Sequence, residues 1–228
     1  MFNRPDAVDN LGFARPDLGR EARQGLPEVV YGPGKQPHEI VKIVRSLLSG
    51  NVGPVLVTRV DHATAAHVTN EEPGGSYHPA ARLLVWRPAA PTDFHLAVVS
   101  AGTADAPVAV EAIAVAKAIG LQPEWTADVG VAGIHRLLAV SDKLAAADVV
   151  VCIAGMEGAL TSVVGGLVGC PVIAVPTSVG YGAALDGVTP LLAMLTSCAS
   201  GVVVVNIDSG FAAAMAAHRI ARGRVGSR

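Results

Sequence analysis

Residues 148–182 read DVVVCIAGMEGALTSVVGGLVGCPVIAVPTSVGYG. An apolar run of strand length at 148–153 is followed by a Gly-flanked loop, then a helix-length stretch at 159–168. A two-residue break and a second apolar run at 172–175 come next. Strands that are apolar throughout, instead of alternating, are covered on both faces. Two of them joined by a helix form a parallel βαβ unit with a right-handed crossover. The same rhythm extends in both directions. Further strand-length runs lie at 94–99 and 202–205, with a weaker one at 121–126, and helix-length stretches lie at 107–119, 134–146, 189–195 and 211–222. Five strands alternating with helices predict a parallel sheet in a flavodoxin-like three-layer α/β/α sandwich over residues 91–228. Upstream of the linker at 87–91, residues 28–90 read as a small α/β domain. It has a short strand at 28–31, a Gly32-Pro33-Gly34 turn and a helix at 37–48 with Ile40, Val44, Leu47 and Leu48 on one face. A strand at 54–58, a further helix and a strand at 81–86 complete it. Residues 1–27 are polar, contain Pro and Gly, lack periodicity, and are expected to form an arm or partly ordered tail.

Composition narrows the class. Apolar residues make up 51% of the chain, and the formal net charge is -2. That supplies an ample core and no general attraction for a polyanion, so nucleic acid is not an expected partner. Cys152, Cys170 and Cys198 are odd in number and form no CxxC, which argues against a disulfide framework or a structural zinc site and for a reducing, cytoplasmic setting. The N-terminus carries acids and prolines without an apolar segment, unlike a signal peptide. Residues 158–185 are uncharged, but Pro171, Pro176 and scattered glycines mark them as helix, strand and loop of a buried sheet and not as a membrane span.

The two ends of the sheet differ. Helix-to-strand connections are short and plain. Strand-to-helix connections, at 100–105, 128–133, 154–158, 176–182 and 206–210, are rich in Gly, Ser, Thr and acids. All five belong to the carboxyl edge, where open α/β sheets bind ligands. Any one of them is explained as turn and cap residues. Five together predict a site for a phosphate-bearing small molecule, met by backbone amides and helix N-termini. No GxGxxG follows the first strand, and no GxxxxGK[ST], HExxH or GxSxG occurs. The residues expected to bind are Ser100, Gly102, Thr103, Asp105, Asp128, Gly130, His135, Arg136, Gly155, Met156, Ser178, Tyr181 and Asp208. Asp105 and Asp208 also stand where N-caps belong. His135 and Arg136 could neutralise phosphate or be an ordinary surface pair. Glu157, between two glycines, reads either as a general base or as a solvated loop charge. Cys152 and Cys170 read as packing residues. Cys198 lies in a small polar break, 196–201, that this reading places at the opposite, amino edge of the sheet.

The segments VVSAGTADAPVAVEA (98–112), DVGVAGIHRLL (128–138), AGMEGALTSVVGGLVGCPVIAVPTSVGYGA (154–183) and LTSCASGVVVVNIDSGFAAA (195–214), with VVYGPGK (29–35), resemble the LarB family. These are the pyridinium carboxylases of nickel-pincer cofactor synthesis. The C-terminal part is also similar to PurE, the aminoimidazole ribonucleotide carboxylase or mutase. Where PurE proteins carry a histidine on which their reaction relies, this chain has Met156-Glu157-Gly158-Ala159-Leu160.

The LarB resemblance implies carboxylation of nicotinic acid adenine dinucleotide at pyridine carbon 5, with phosphoanhydride hydrolysis and release of AMP. The product would be pyridinium-3,5-biscarboxylic acid mononucleotide. It implies carbon dioxide or bicarbonate as co-substrate and no tightly bound cofactor. It leaves magnesium open as a helper of the hydrolysis, although no metal-ligand cluster is readable. A pyridinium ring is too electron-poor to attack carbon dioxide. Thiolate addition at carbon 4 would make carbon 5 an enamine carbon and so a nucleophile. Loss of the carbon 5 proton and of the thiolate would restore aromaticity. Cys198 matches the family cysteine, and Glu157 matches the acid that would take the proton. PurE-like proteins are octamers with sites at subunit interfaces, so a homo-octamer is expected here, with Cys198 reaching a neighbour's site. The competing readings are a PurE-type purine enzyme and a non-catalytic nucleotide-binding protein.

Overall fold

The structure, a computed structural model, describes residues 7–225. The strands of these residues form two sheets in two separate units, divided near residue 90.

In the first unit, β1 (Val30–Tyr31) pairs in parallel with β2 (Val55–Thr58), which pairs antiparallel with β4 (Leu83–Trp86). β3 (Ser76–His78) lies antiparallel beside β4. Helix α2 (Pro37–Gly50) opens with Pro at its first turn and a capping box in which Gln36 N–H donates to Glu39 Oε2 at 2.8 Å. Its apolar stripe buries Ile40, Val44 and Leu47 completely against Val55, Val57, Leu84 and Trp86. Helix α3 (His62–Glu71) starts at Asp61, whose carboxylate accepts from Thr64 N–H at 2.7 Å.

The expected N-terminal arm begins in residues 1–6, outside the described ones. From residue 7 on, it is a packed arm. Val8 bridges Asp17, and helix α1 (Arg20–Gln24) follows. Leu11, Ala14 and Leu18 pack on the first unit's core. The Asp17 carboxylate accepts from Arg20 and Arg23, and Glu21 accepts from the Val52 and Gly53 amides. The missing periodicity reflects apolar contacts spaced by turns instead of by a helix or strand.

The second unit is an all-parallel sheet of β5 (His95–Ser100), β6 (Gln122–Thr126), β7 (Val149–Ala154), β8 (Val172–Pro176) and β9 (Val202–Val204), in the order β6-β5-β7-β8-β9. This order is the flavodoxin-like one, in keeping with the sandwich that the sequence predicts. On one face Val150, Cys152 and Ala154 of β7 form a core with α5 (Ile134–Leu138), α6 (Ser141–Ala145), α7 (Ala159–Leu167) and α8 (Val188–Leu195), through Leu137, Leu144, Leu160, Val164 and Met194. By strand alternation the other face presents Val149, Val151 and Ile153, all fully buried. There α9 (Gly210–Val225) packs over β7 and β8, beside α4 (Ala106–Ala118), and the Phe211 N–H donates to Glu111 Oε2 at 3.2 Å.

One expected helix, 134–146, is two. Val140 leaves helical backbone at φ -116°, ψ 7°. The Ser141 hydroxyl takes the Leu138 carbonyl at 2.8 Å, a local bond that competes with helix continuation. No helix among the described residues is long and apolar enough to cross a membrane.

Candidate active site

From β5 the chain crosses one face of the sheet, through α4, to reach β6. From β6 it crosses the other face, through α5 and α6, to reach β7. The loops leaving β5 and β7 therefore part, and a crevice opens between them at the carboxyl edge, the position where doubly wound sheets hold ligands. A cleft of about 480 Å³ lies there, within the size range of small-molecule sites.

Of the expected residues, Gly102, Thr103, Asp105, Asp128, Gly130, Arg136, Gly155, Met156 and Glu157 line this cleft. The others do not. Ser100 is completely buried at the end of β5, where its hydroxyl accepts from Trp125 Nε1–H at 3.2 Å. His135 is exposed beside Arg136 but faces elsewhere. Ser178 and Asp208 are tied to each other, Asp208 Oδ1 accepting from Ser178 N–H at 2.8 Å. Tyr181 is 80% exposed and off the lining. From the β8 loop only Val179 reaches the cleft. Sequence reasoning missed Val179, and also Leu160, whose alternation within α7 gives no hint of the role.

Asp105 is 3% exposed. Its carboxylate accepts from Gly102 N–H at 2.8 Å and from the Thr177 hydroxyl at 2.7 Å. It thus ties the β5 loop to the β8 loop from beneath, more a strut than an open binding group. Above it, Met156 holds a left-handed backbone, φ 54°, with its N–H on the Val179 carbonyl at 2.8 Å, and this turn lifts Glu157 into solvent. The turn fits only because residue 155 has no side chain. A Cβ there would lie 2.3 Å from the Val179 oxygen and 2.6 Å from Thr177 Oγ1. Gly155→Ala is therefore expected to destabilise the protein by roughly 1–3 kcal/mol through overpacking. At about 2–4 °C per kcal/mol for a chain of this size, thermal melting would read this as a drop of several degrees. An unchanged melting temperature would show that the loop repacks freely.

The charges in the cleft are unequal. Among the described residues that line it, Asp105, Asp128 and Glu157 are acidic and Arg136 is the single cation. Arg136 Nη1 pairs with Asp128 Oδ2 at 2.5 Å. No group of three or more His, Cys, Asp or Glu side chains among the described residues is placed to hold a metal ion.

The cysteines separate by environment. Cys152 is buried in β7, and burial, with Asp105 nearby, pushes its thiol up to about 12 against a weaker opposing bond from Thr161. Burial also raises the Cys170 thiol. Cys198 is exposed, in the turn between α8 and β9. Since every strand is parallel, that turn is at the amino edge. β7 has 6 residues, which at roughly 3.3 Å each puts about 15–20 Å between the edges. Within one chain, Cys198 and Glu157 are not neighbours.

Residues 8–88 match the family model described as the LarB/PurE-like N-terminal domain, and residues 95–224 match that of AIR carboxylase. The chain belongs to the LarB family, with a C-terminal AIR carboxylase domain. A Methanocaldococcus jannaschii protein, itself uncharacterized, is 38% identical over 218 residues, covering 90% of this chain and 83% of that one.

Membership of the AIR carboxylase family makes this LarB-type chain a carboxylase-type enzyme. The chemistry available to the LarB fold here is visible in its cleft: one guanidinium suited to an anionic group, and an exposed carboxylate on a left-handed turn suited to proton removal.

Proposed function

We propose that this protein carboxylates the pyridinium ring of nicotinic acid adenine dinucleotide at carbon 5 and hydrolyses its phosphoanhydride. AMP and pyridinium-3,5-biscarboxylic acid mononucleotide are the products, the latter a precursor for a nickel-pincer cofactor. The observation that carries this reading is the meeting, in one cleft, of an exposed carboxylate, Glu157, and a guanidinium, Arg136. A ligand that joins a cationic ring to a phosphate fits, with the ring near carboxylate and the phosphate at Arg136. The neutral ring of an aminoimidazole ribonucleotide gains nothing from the acids, and the loop Met156-Glu157-Gly158 lacks the histidine of the purine reaction. Glu157 is the base for the carbon 5 proton, and Cys198 is the nucleophile. Magnesium, where it takes part, would supply charge neutralisation for hydrolysis of the phosphoanhydride. Incubation with the dinucleotide, bicarbonate and magnesium, followed by mass spectrometry, tests the reaction. AMP with a doubly carboxylated mononucleotide is the expected result. Binding without turnover would favour a non-catalytic nucleotide protein, and turnover of aminoimidazole ribonucleotide instead would favour purine chemistry.

The same reading requires assembly, since Cys198 must come from a neighbouring subunit. An apolar face supports it. Val188, Leu192 and Leu195 form one stripe of α8, and Leu185 and Tyr181 continue it ahead of the helix. Leu185, Leu192 and Leu195 are exposed to 62, 56 and 61%, more than single scattered apolar residues account for. The stripe runs from the carboxyl edge, beside Met156, to the amino edge, where Cys198 lies. A second copy laid on it is the proposed occupant, within a homo-octamer. Leu192→Asp is expected to shift the sedimenting species to a smaller one at micromolar concentration, with far-ultraviolet circular dichroism unchanged. An unaltered sedimentation profile would show that the stripe is not an interface.

A further inference from the structure

Arg136 is held in a particular way. A Cβ built on Gly133 would meet Arg136 Nε at 2.7 Å, Nη2 at 3.1 Å and Cζ at 3.2 Å. The Nε–Nη2 side of the guanidinium therefore lies toward Gly133. Nη1 is the nitrogen that donates to the Asp128 carboxylate. The Asp128 backbone is left-handed, φ 58°, which carries its carboxylate from the β6 loop across to α5. The pair is not deeply buried, with Arg136 at 37% and Asp128 at 53% side-chain exposure. An exposed ion pair of this kind contributes little and yields readily to a better anion.

We propose that Asp128 is a built-in competitor for the ligand's phosphate: its carboxylate occupies Nη1 of Arg136, and binding exchanges it for a phosphate oxygen. This rests on the reading of the cleft as a nucleotide site. A phosphate monoester carries about two negative charges against the carboxylate's one, so it wins the exchange. Asp128 then limits how tightly any phosphate is held, and it refills the site when product leaves. Ligands without a phosphate bring at most a carboxylate, which has no charge advantage over Asp128 in displacing it from Arg136. Asp128 is thus a specificity-determining residue for the proposed reaction, and it favours turnover over tight binding.

The test is calorimetric binding of nicotinic acid mononucleotide, with nicotinic acid riboside as the phosphate-free control, to four proteins: wild type, Asp128→Asn, Arg136→Ala and the double variant. Asparagine tolerates the left-handed backbone, so the loop keeps its shape. Asp128→Asn is expected to bind the mononucleotide about two- to fivefold more tightly, the range set by an exposed ion pair. The riboside affinity should not change. In the Arg136→Ala background the gain should vanish. Unchanged or weaker binding in Asp128→Asn would overturn the proposal and make Asp128 a support for Arg136. A gain that persists without Arg136 would overturn it too, since removal of negative charge alone would then be the cause. In either case mononucleotide binding to the wild type would still stand for the nucleotide reading. Absence of that binding in wild type and Asp128→Asn alike would overturn both.

Discussion

Cys198→Ser is expected to abolish carboxylation of nicotinic acid adenine dinucleotide, by a factor on the order of a thousand or more, as for other lost covalent nucleophiles. Dinucleotide binding should be retained. Serine is nearly isosteric, but its hydroxyl is far less ionised than a thiol and a poorer leaving group from the ring, so both the addition and the expulsion steps suffer. Binding survives because the cleft is lined by other loops, none of which includes residue 198. The turn that carries Cys198 is fixed by its neighbours: Ser197 Oγ lies 2.8 Å from Ser162 Oγ and accepts from Ala199 N–H at 3.3 Å. The substitution therefore leaves the local backbone in place. The control is Cys152→Ser. That thiol, pushed up to about 12, stays protonated at neutral pH and sits inside β7. Its replacement should cost roughly 1–2 kcal/mol of stability with turnover per folded molecule unchanged. Mass spectrometry of the reaction products and ligand titration read the two effects separately. Wild-type turnover in Cys198→Ser would rule out covalent catalysis.

The parallel sheet was legible because burial on both faces leaves an unbroken apolar run, as in β7 and β8, where every residue is buried. β6 was the faint one for the opposite reason. It is an edge strand with Gln122, Glu124 and Trp125 exposed and Pro123 within it, as edges permit. β3 escaped notice altogether: Ser76-Tyr77-His78 is polar and short, and it is a strand only because β4 offers it a partner. The site was legible as an edge but not as a place on that edge. Gly, Ser and Asp mark every strand-to-helix loop alike, whether they face a ligand or only each other. The Asp208 carboxylate accepts from the Ser178 backbone N–H, and Asp105 spends its own on Gly102 and Thr177. Which loops open is decided by strand order, since the crevice forms where consecutive crossovers take opposite faces. That order is a property of the folded sheet and leaves no trace in local composition.

The position of Cys198 leads to the second large effect. Mixing Cys198→Ser subunits with Glu157→Gln subunits, each inactive alone, is expected to restore activity. Within a chain the two residues stand on opposite edges of one sheet. A working site then joins the Glu157 loop of one copy to the Cys198 turn of another. Random exchange in an equal mixture gives roughly one quarter of the sites an intact residue of each kind. Recovered turnover should approach that fraction of wild type. The α8 stripe offers a route, because an interface built on it reaches from the Met156 end of one copy to the Cys198 end of the next. Two subunits related by a two-fold axis with α8 antiparallel would bring those ends together twice, once on each side. The experiment needs subunit exchange verified by mass or by a fluorescent label, because unmixed oligomers would be silent for a trivial reason. With exchange verified, mixtures that stay inactive would mean that no site draws Cys198 and Glu157 from different chains, and the shared-site arrangement would be discarded. Loss of the recovered activity on adding Leu192→Asp to both partners, with folding intact, would tie it to the α8 face itself.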